Sequence, residues 1–150
     1  MVARYFAYGS NMNPHRMRER GMRFSVARAA ALTDVRLVFN KASRLHPGIG
    51  HANLQYAPGE IVEGVLYDLV DSIEIARMDR FESAPVNYSR EVVHTSAGES
   101  CWTYFANPAV LRMRLLPSRE YLDHLLAGEP YLSAPYLRRL AAWPCAEPPP

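Results

Sequence analysis

The amino-acid sequence predicts an α+β fold: one domain of about six or seven strands with three or four helices. Three observations carry that reading. β-rich runs come in pairs around turn signals such as Pro58-Gly59 and Ala97-Gly98. Helical stretches near 71–83, 117–128 and 133–143 have recognisable starts or stops. No repeat, low-complexity segment or linker divides the 150 residues.

Residues 4–8 read as the first strand. It stops at Gly9-Ser10-Asn11, not at the Asn-Gly or Asp-Gly of a simple hairpin. Asn13 is a good N-cap and Pro14 suits the first helical position, so a short helix runs to about Gly21. Residues 24–40 carry two β-like runs divided near Thr33-Asp34, and 41–51 form a loop by their Pro and Gly content. Residues 52–57 and 60–69 flank Pro58-Gly59 and read as paired strands. Asp71 with Glu74 resembles a capping box, and the helix it starts ends by about Ser83 because Pro85 disfavours helical geometry before it. Residues 88–95 and 100–106 read as a hairpin, and two helices follow, the first stopping at Gly128. The tail 146–150, rich in proline, is expected to fray.

Composition narrows the function. The chain is 49% hydrophobic and 21% charged, ordinary for a globular domain, and its net charge of +2 is too small to imply nucleic acid. The local excess of Arg16, Arg18, Arg20, Arg23 and Arg28 reads as a solvated face, since no aromatic interleaving or reader motif accompanies it. Cys101 and Cys145 lack metal-ligand spacing. With no signal peptide read and no 18-residue apolar segment, the expectation is a cytoplasmic protein without a membrane partner.

Two features bear on chemistry. A strand end, a small-residue loop and a helix start together offer backbone N–H groups to an anion. On the helix from Asp71, Glu82 falls on the side of Ile75 and Met78, with Asp79 nearby. If that side is buried, desolvation and the negative helix end both raise the carboxyl pKa toward a general base's range. The wheel equally permits a Glu exposed at a fraying end, and Asp79 is its rival. Gly9, Ser10 and Asn11 equally suit an ordinary turn. Tyr5 and Tyr8 are read on one side of the strand, with Phe6 opposite, as either core or pocket wall.

The run YFAYGSNM, then GVLYDL at 64–69, MDRFES at 78–83 followed by Tyr88, and the C-terminal PSREYLDHLLAG with PYLRRL resemble the γ-glutamylcyclotransferase (AIG2-like) family. FAYGSNMNPHRM is closer to its general branch than to the glutathione-specific one. The resemblance implies a small mixed β-barrel-like sheet with helices packed around it. It implies that Tyr5, Phe6, Ala7, Tyr8, Gly9, Ser10 and Asn11 line the substrate site, with Glu82 as catalytic base and Tyr88 and Tyr136 contributing. Two positions depart from the family pattern: Ser83 stands where many relatives have Gly, and Leu132-Ser133-Ala134-Pro135 replaces Gly-Leu-Pro.

The implied reaction is the cyclisation of a small γ-glutamyl compound to 5-oxoproline with release of an amine. It needs neither metal nor cofactor, because nucleophile and electrophile share one molecule. Relatives are often dimers, so a homodimer is a further expectation. Competing readings are a binding module that keeps the pocket without turnover, and a hydrolase using Ser10. GSNMN is not a nucleophile elbow, and His46 and His51, five apart in a loop, are a weak metal motif.

Overall fold

The computed structural model describes residues 3–148. Strand β1 (Arg4–Ala7) lies at the centre of a five-stranded sheet, with β2 (Phe24–Ala42), β3 (Gly50–Leu69), β4 (Tyr88–His94) and β5 (Ser100–Ala106). The order is β2-β3-β1-β5-β4, and β1 runs antiparallel to β3 and parallel to β5, so the sheet is mixed. Around it pack α1 (Pro14–Glu19), α2 (Ile73–Phe81), α3 (Arg119–Leu126) and α4 (Ala134–Ala141). The α+β class and the four helices match the sequence reading. The N–H of Ser96 bonds Ala31 O (2.8 Å) and that of Arg112 bonds Asn40 O (2.9 Å), drawing the outer segments toward β2 and giving the sheet its barrel-like curl.

Five strands replace the expected six or seven because two turn signals act as bends. β2 and β3 are single strands of 19 and 20 residues paired antiparallel along their length. Asp34 adopts φ 61° and Gly59 φ 82°, and the Gly59 N–H donates to Asp34 Oδ1 (2.8 Å). The register shifts between Thr33 and Val35, so the ribbon bends there and continues.

The capping box also resolves differently. Asp71 Oδ1 accepts from the N–H groups of Ile73 (3.0 Å) and Glu74 (3.3 Å), so Asp71 does cap α2. Glu74 does not reach back. Its carboxylate is fully buried and accepts from the backbone N–H (3.0 Å) and Nε (2.9 Å) of Arg23, tying α2 to the approach of β2. In the tail, the Ala146 N–H donates to Pro117 O (2.9 Å), so its first residue is held, while 149–150 lie outside the described residues.

The core under the sheet is set by a close approach. Phe6 is fully buried against Gly64 of β3, where a Cβ would collide with the Ala7 carbonyl and lie 2.7 Å from the Phe6 ring. Backbone cannot yield as a side-chain tip can. Gly64→Ala is expected to cost about 1–3 kcal/mol, read as a lowered Tm; an unchanged Tm would show that β1 and β3 have slack there.

Candidate active site

A cavity of about 440 Å³ opens where β1 ends. β1 stops at Ala7, and Gly9 leads into a single 3-10 turn, Ser10–Met12. The first bond of that turn runs from the Met12 N–H to Gly9 O (3.0 Å), so the N–H groups of Ser10 and Asn11 precede it and need no partner within the turn. Tyr5, Tyr8, Gly9, Ser10 and Asn11 all line the cavity. Strict alternation puts positions 5 and 8 on opposite faces; both reach the cavity because the strand ends between them.

Glu82 is the C-cap of α2 and lines the same cavity. Asn11 Nδ2 donates to Glu82 Oε1 (3.4 Å) and to Tyr5 Oη (3.1 Å), which ties the loop to the acid directly. Burial pushes the Glu82 carboxyl up to about 7, against the opposing pull of Arg20, Lys41 and Arg16. The negative end of α2 acts in the same direction as burial. The exposed-Glu alternative therefore fails on position. Asp79, its rival, is engaged elsewhere: it accepts from Tyr104 Oη (2.7 Å) and pairs with Arg90 (3.2 Å).

The rest of the wall is cationic and aromatic. Arg16 and Arg20, one turn apart on α1 and its C-cap, face the cavity, and Arg20 donates to Asn11 Oδ1 (3.0 Å). The reading of the arginine run as a solvated face therefore fails for Arg16 and Arg20, while Arg18 and Arg23 are exposed. Others of the run are also engaged: Arg18 stacks over Phe24, Arg23 holds Glu74, and Arg28 pairs with Glu99 at 2.6 Å. Lys41 also lines the cavity, with Arg44 and Leu45 of the following loop. His51 lies beside Tyr121, and burial, reinforced by Lys41 and Arg16, pushes its pKa down to about 4, so it is neutral near pH 7. Among the described residues no cluster of three or more His, Cys, Asp or Glu side chains could hold a metal.

Tyr88, expected at the site, lines the cavity and donates from Oη to Ala52 O (2.9 Å). Tyr121 Oη accepts from the Ala52 N–H (3.0 Å). Phe6 and Ala7 are core residues behind the cavity and do not line it, because their side chains are taken up by the packing of β1. Tyr136 is displaced outright. Ser133, the N-cap of α4, donates from its N–H and Oγ to the Glu63 carboxylate, each at 2.7 Å, which docks α4 on β3. Tyr136 consequently lines a separate cavity with Leu37 and Trp143. The C-terminal tyrosine that reaches the first cavity is Tyr121 on α3, which the sequence reading missed.

Comparison with known proteins follows the same lines. The sequence profile described as gamma-glutamyl cyclotransferase, AIG2-like matches residues 5–123, from the first cavity strand into the helix bearing Tyr121. The chain belongs to that family. No curated protein sequence matches it. A solved structure named gamma-glutamyl cyclotransferase superposes with TM-score 0.80 at 23% identity, over 98% of this chain and 90% of that one. An uncharacterised human protein gives 0.81 at 23%, over 99% and 92%. YkqA from Bacillus subtilis gives 0.80 at 22%, over 97% of this chain and 56% of that one. At these identities the likeness is one of fold. No helix among the described residues is long and apolar enough to cross a membrane.

Ser83, where the resemblance leads one to expect Gly, has φ 49°. That left-handed conformation explains why Gly suits the position. Ser83→Gly is expected to stabilise the fold by roughly 0.5–1 kcal/mol, seen as a raised denaturation midpoint with unchanged slope. A lowered midpoint would show that the hydroxyl contributes more than the strain removes.

Glu82 gives a pH-dependent expectation. Its pKa is raised in the folded state from an ordinary 4.5 to about 7, so the folded protein loses stability as pH rises through that window. Glu82→Gln lacks that loss. Its Tm should exceed the parent's at pH 8, and the gain should vanish by about pH 4.5. A Tm difference independent of pH would show that the carboxylate is not disfavoured by burial.

Proposed function

We propose that this protein cyclises γ-glutamyl compounds, releasing 5-oxoproline and an amine, with Glu82 as the general acid and base. The observation that carries the reading is the placement of Glu82: a carboxyl with a pKa of about 7 shares one cavity with the Gly9–Asn11 turn and is tethered to it through Asn11. Membership of the family supports the same class of chemistry.

The substrate's α-amine attacks its own γ-carbonyl carbon. A carbon–nitrogen bond forms to close the five-membered ring, and the bond to the departing nitrogen breaks. Glu82 takes a proton from the α-ammonium and returns it to the departing nitrogen. The ring nitrogen keeps one of the three ammonium protons and the departing amine collects the other two, so no water is consumed. A pKa near the working pH lets one carboxyl serve in both directions.

The wall holds the substrate in its folded, cyclising shape. Intramolecular reactions with well-oriented partners reach effective molarities of ~10⁵–10⁸ M, which is a large share of the acceleration required. The N–H groups of Ser10 and Asn11 supply donors for an anion, either the α-carboxylate or the oxyanion of the tetrahedral intermediate. Arg16 and Arg20 stand on the same side and reinforce either duty. The tyrosine hydroxyls are held protonated by burial: those of Tyr5, Tyr8 and Tyr88 lie well above their ordinary value. They act as neutral hydrogen-bonding groups.

The test is a panel of γ-glutamyl dipeptides and γ-glutamyl amines assayed for 5-oxoproline. Lactam release is expected, with kcat/KM rising as Glu82 deprotonates through a midpoint near pH 7. Glu82→Gln should keep its fold and lose turnover by about a hundredfold or more. Release of glutamate would favour hydrolysis instead. Tight binding of a panel member without product would favour a binding module.

A further inference from the structure

The cavity's cations are carried by different elements of the chain. Arg16 and Arg20 come from α1 and its cap, beside the turn and Glu82. Lys41 comes from the end of β2, where it pairs in register with His51, and its ammonium lies 5.9 Å from the Tyr88 ring centroid. The residue is buried, its side chain forms no ion pair or hydrogen bond among the described residues, and it faces the cavity with Arg44 next to it. Burial lowers its pKa first, and the Arg44 charge lowers it further. Glu82 pulls in the other direction but is tethered to Asn11. His51 is neutral near pH 7 and cannot balance the charge.

The sequence singles the residue out: sixteen of the seventeen Lys and Arg residues are arginines, and the single lysine is this one. A compact ammonium on a flexible stem suits a point contact with one anion.

Substrate geometry says which anion. The α-carboxylate and a carboxylate on the departing half are each one carbon removed from a nitrogen that Glu82 serves, so both lie within reach of the cations that act on Glu82. With the α-carboxylate on the turn side, where Arg20 bonds Asn11 and Arg16 stands beside it, Lys41 is left for the carboxylate of the departing half. Resting on the cyclisation reading above, we propose that Lys41, assisted by Arg44, is a specificity residue that binds a carboxylate carried on the departing half of the substrate. The cavity then discriminates γ-glutamyl α-amino acids from γ-glutamyl amines chiefly through Lys41.

The experiment compares γ-glutamyl-alanine with γ-glutamyl-alaninamide, which differ only in that carboxylate. The parent should favour the acid in kcat/KM by about tenfold or more. Lys41→Met, which keeps the apolar stem, should bring the ratio close to one, and Lys41→Arg should retain most of it. A ratio near one in the parent, or a preference that survives Lys41→Met, overturns the proposal. Lactam from both compounds at equal rates would leave cyclisation standing and remove the role of Lys41. If neither compound yields lactam, cyclisation falls, and calorimetric binding of the same pair decides: a preference lost in Lys41→Met upholds the lysine contact, and equal binding or none overturns it. Should Lys41→Met fail to fold, Lys41→Glu assayed with a γ-glutamyl-diamine takes its place. A preference inverted toward the cationic departing group supports the contact, and an uninverted one overturns it.

Discussion

The side-chain carboxamide of Asn11 joins three parts of the molecule, and its backbone a fourth. Its nitrogen donates to Tyr5 on β1 and to Glu82 at the end of α2, and its oxygen accepts from Arg20 at the end of α1. Its backbone carbonyl accepts from Tyr67 Oη on β3 at 2.6 Å. A shorter or apolar side chain at this position would leave several buried partners unsatisfied at once, each costing roughly 1–3 kcal/mol. Networks of this kind either hold completely or fail together. The acid is therefore positioned by the same residue that anchors the turn, so the two halves of the candidate site cannot drift independently.

That coupling also shapes the local field. Desolvation alone drives the carboxyl upward, while Arg20, Lys41 and Arg16 draw it back. The balance leaves a group that exchanges protons near neutrality, where either effect alone would fix it charged or uncharged. Asp79, only three residues earlier, meets Arg90 and Tyr104 and plays a structural part. Two acids on one short helix are separated in role by which neighbours each finds.

The sequence carried the fold class, the position of the strand-to-turn break and the candidate acid, because each has a local signature. Gly9-Ser10-Asn11 and Asn13-Pro14 are read without knowing what surrounds them. The two long strands were misread as four since Asp34 and Pro58-Gly59 look like turns; only their pairing across the ribbon shows a bend. Arg16 and Arg20 had a legible signal, four positions apart on one helix face, yet their charge favoured the solvent reading. Tyr121 and Tyr136 sit in similar amphipathic helices, and nothing local tells them apart. The difference comes from Glu63 on β3, which fastens Ser133 and so orients the last helix.

The two hydroxyls that grip Ala52 have another effect. β1 spans only four residues and pairs with β3 along Val65–Asp68; near the start of β3 the Gly50 N–H donates instead to Leu116 O (2.9 Å). Tyr121 and Tyr88 saturate both peptide groups of Ala52. An extended polypeptide that tried to zip onto this rim would find its first rungs taken, so recruitment by strand addition is blocked there. The recess is kept for compact guests by a pair of phenols standing in for a missing strand.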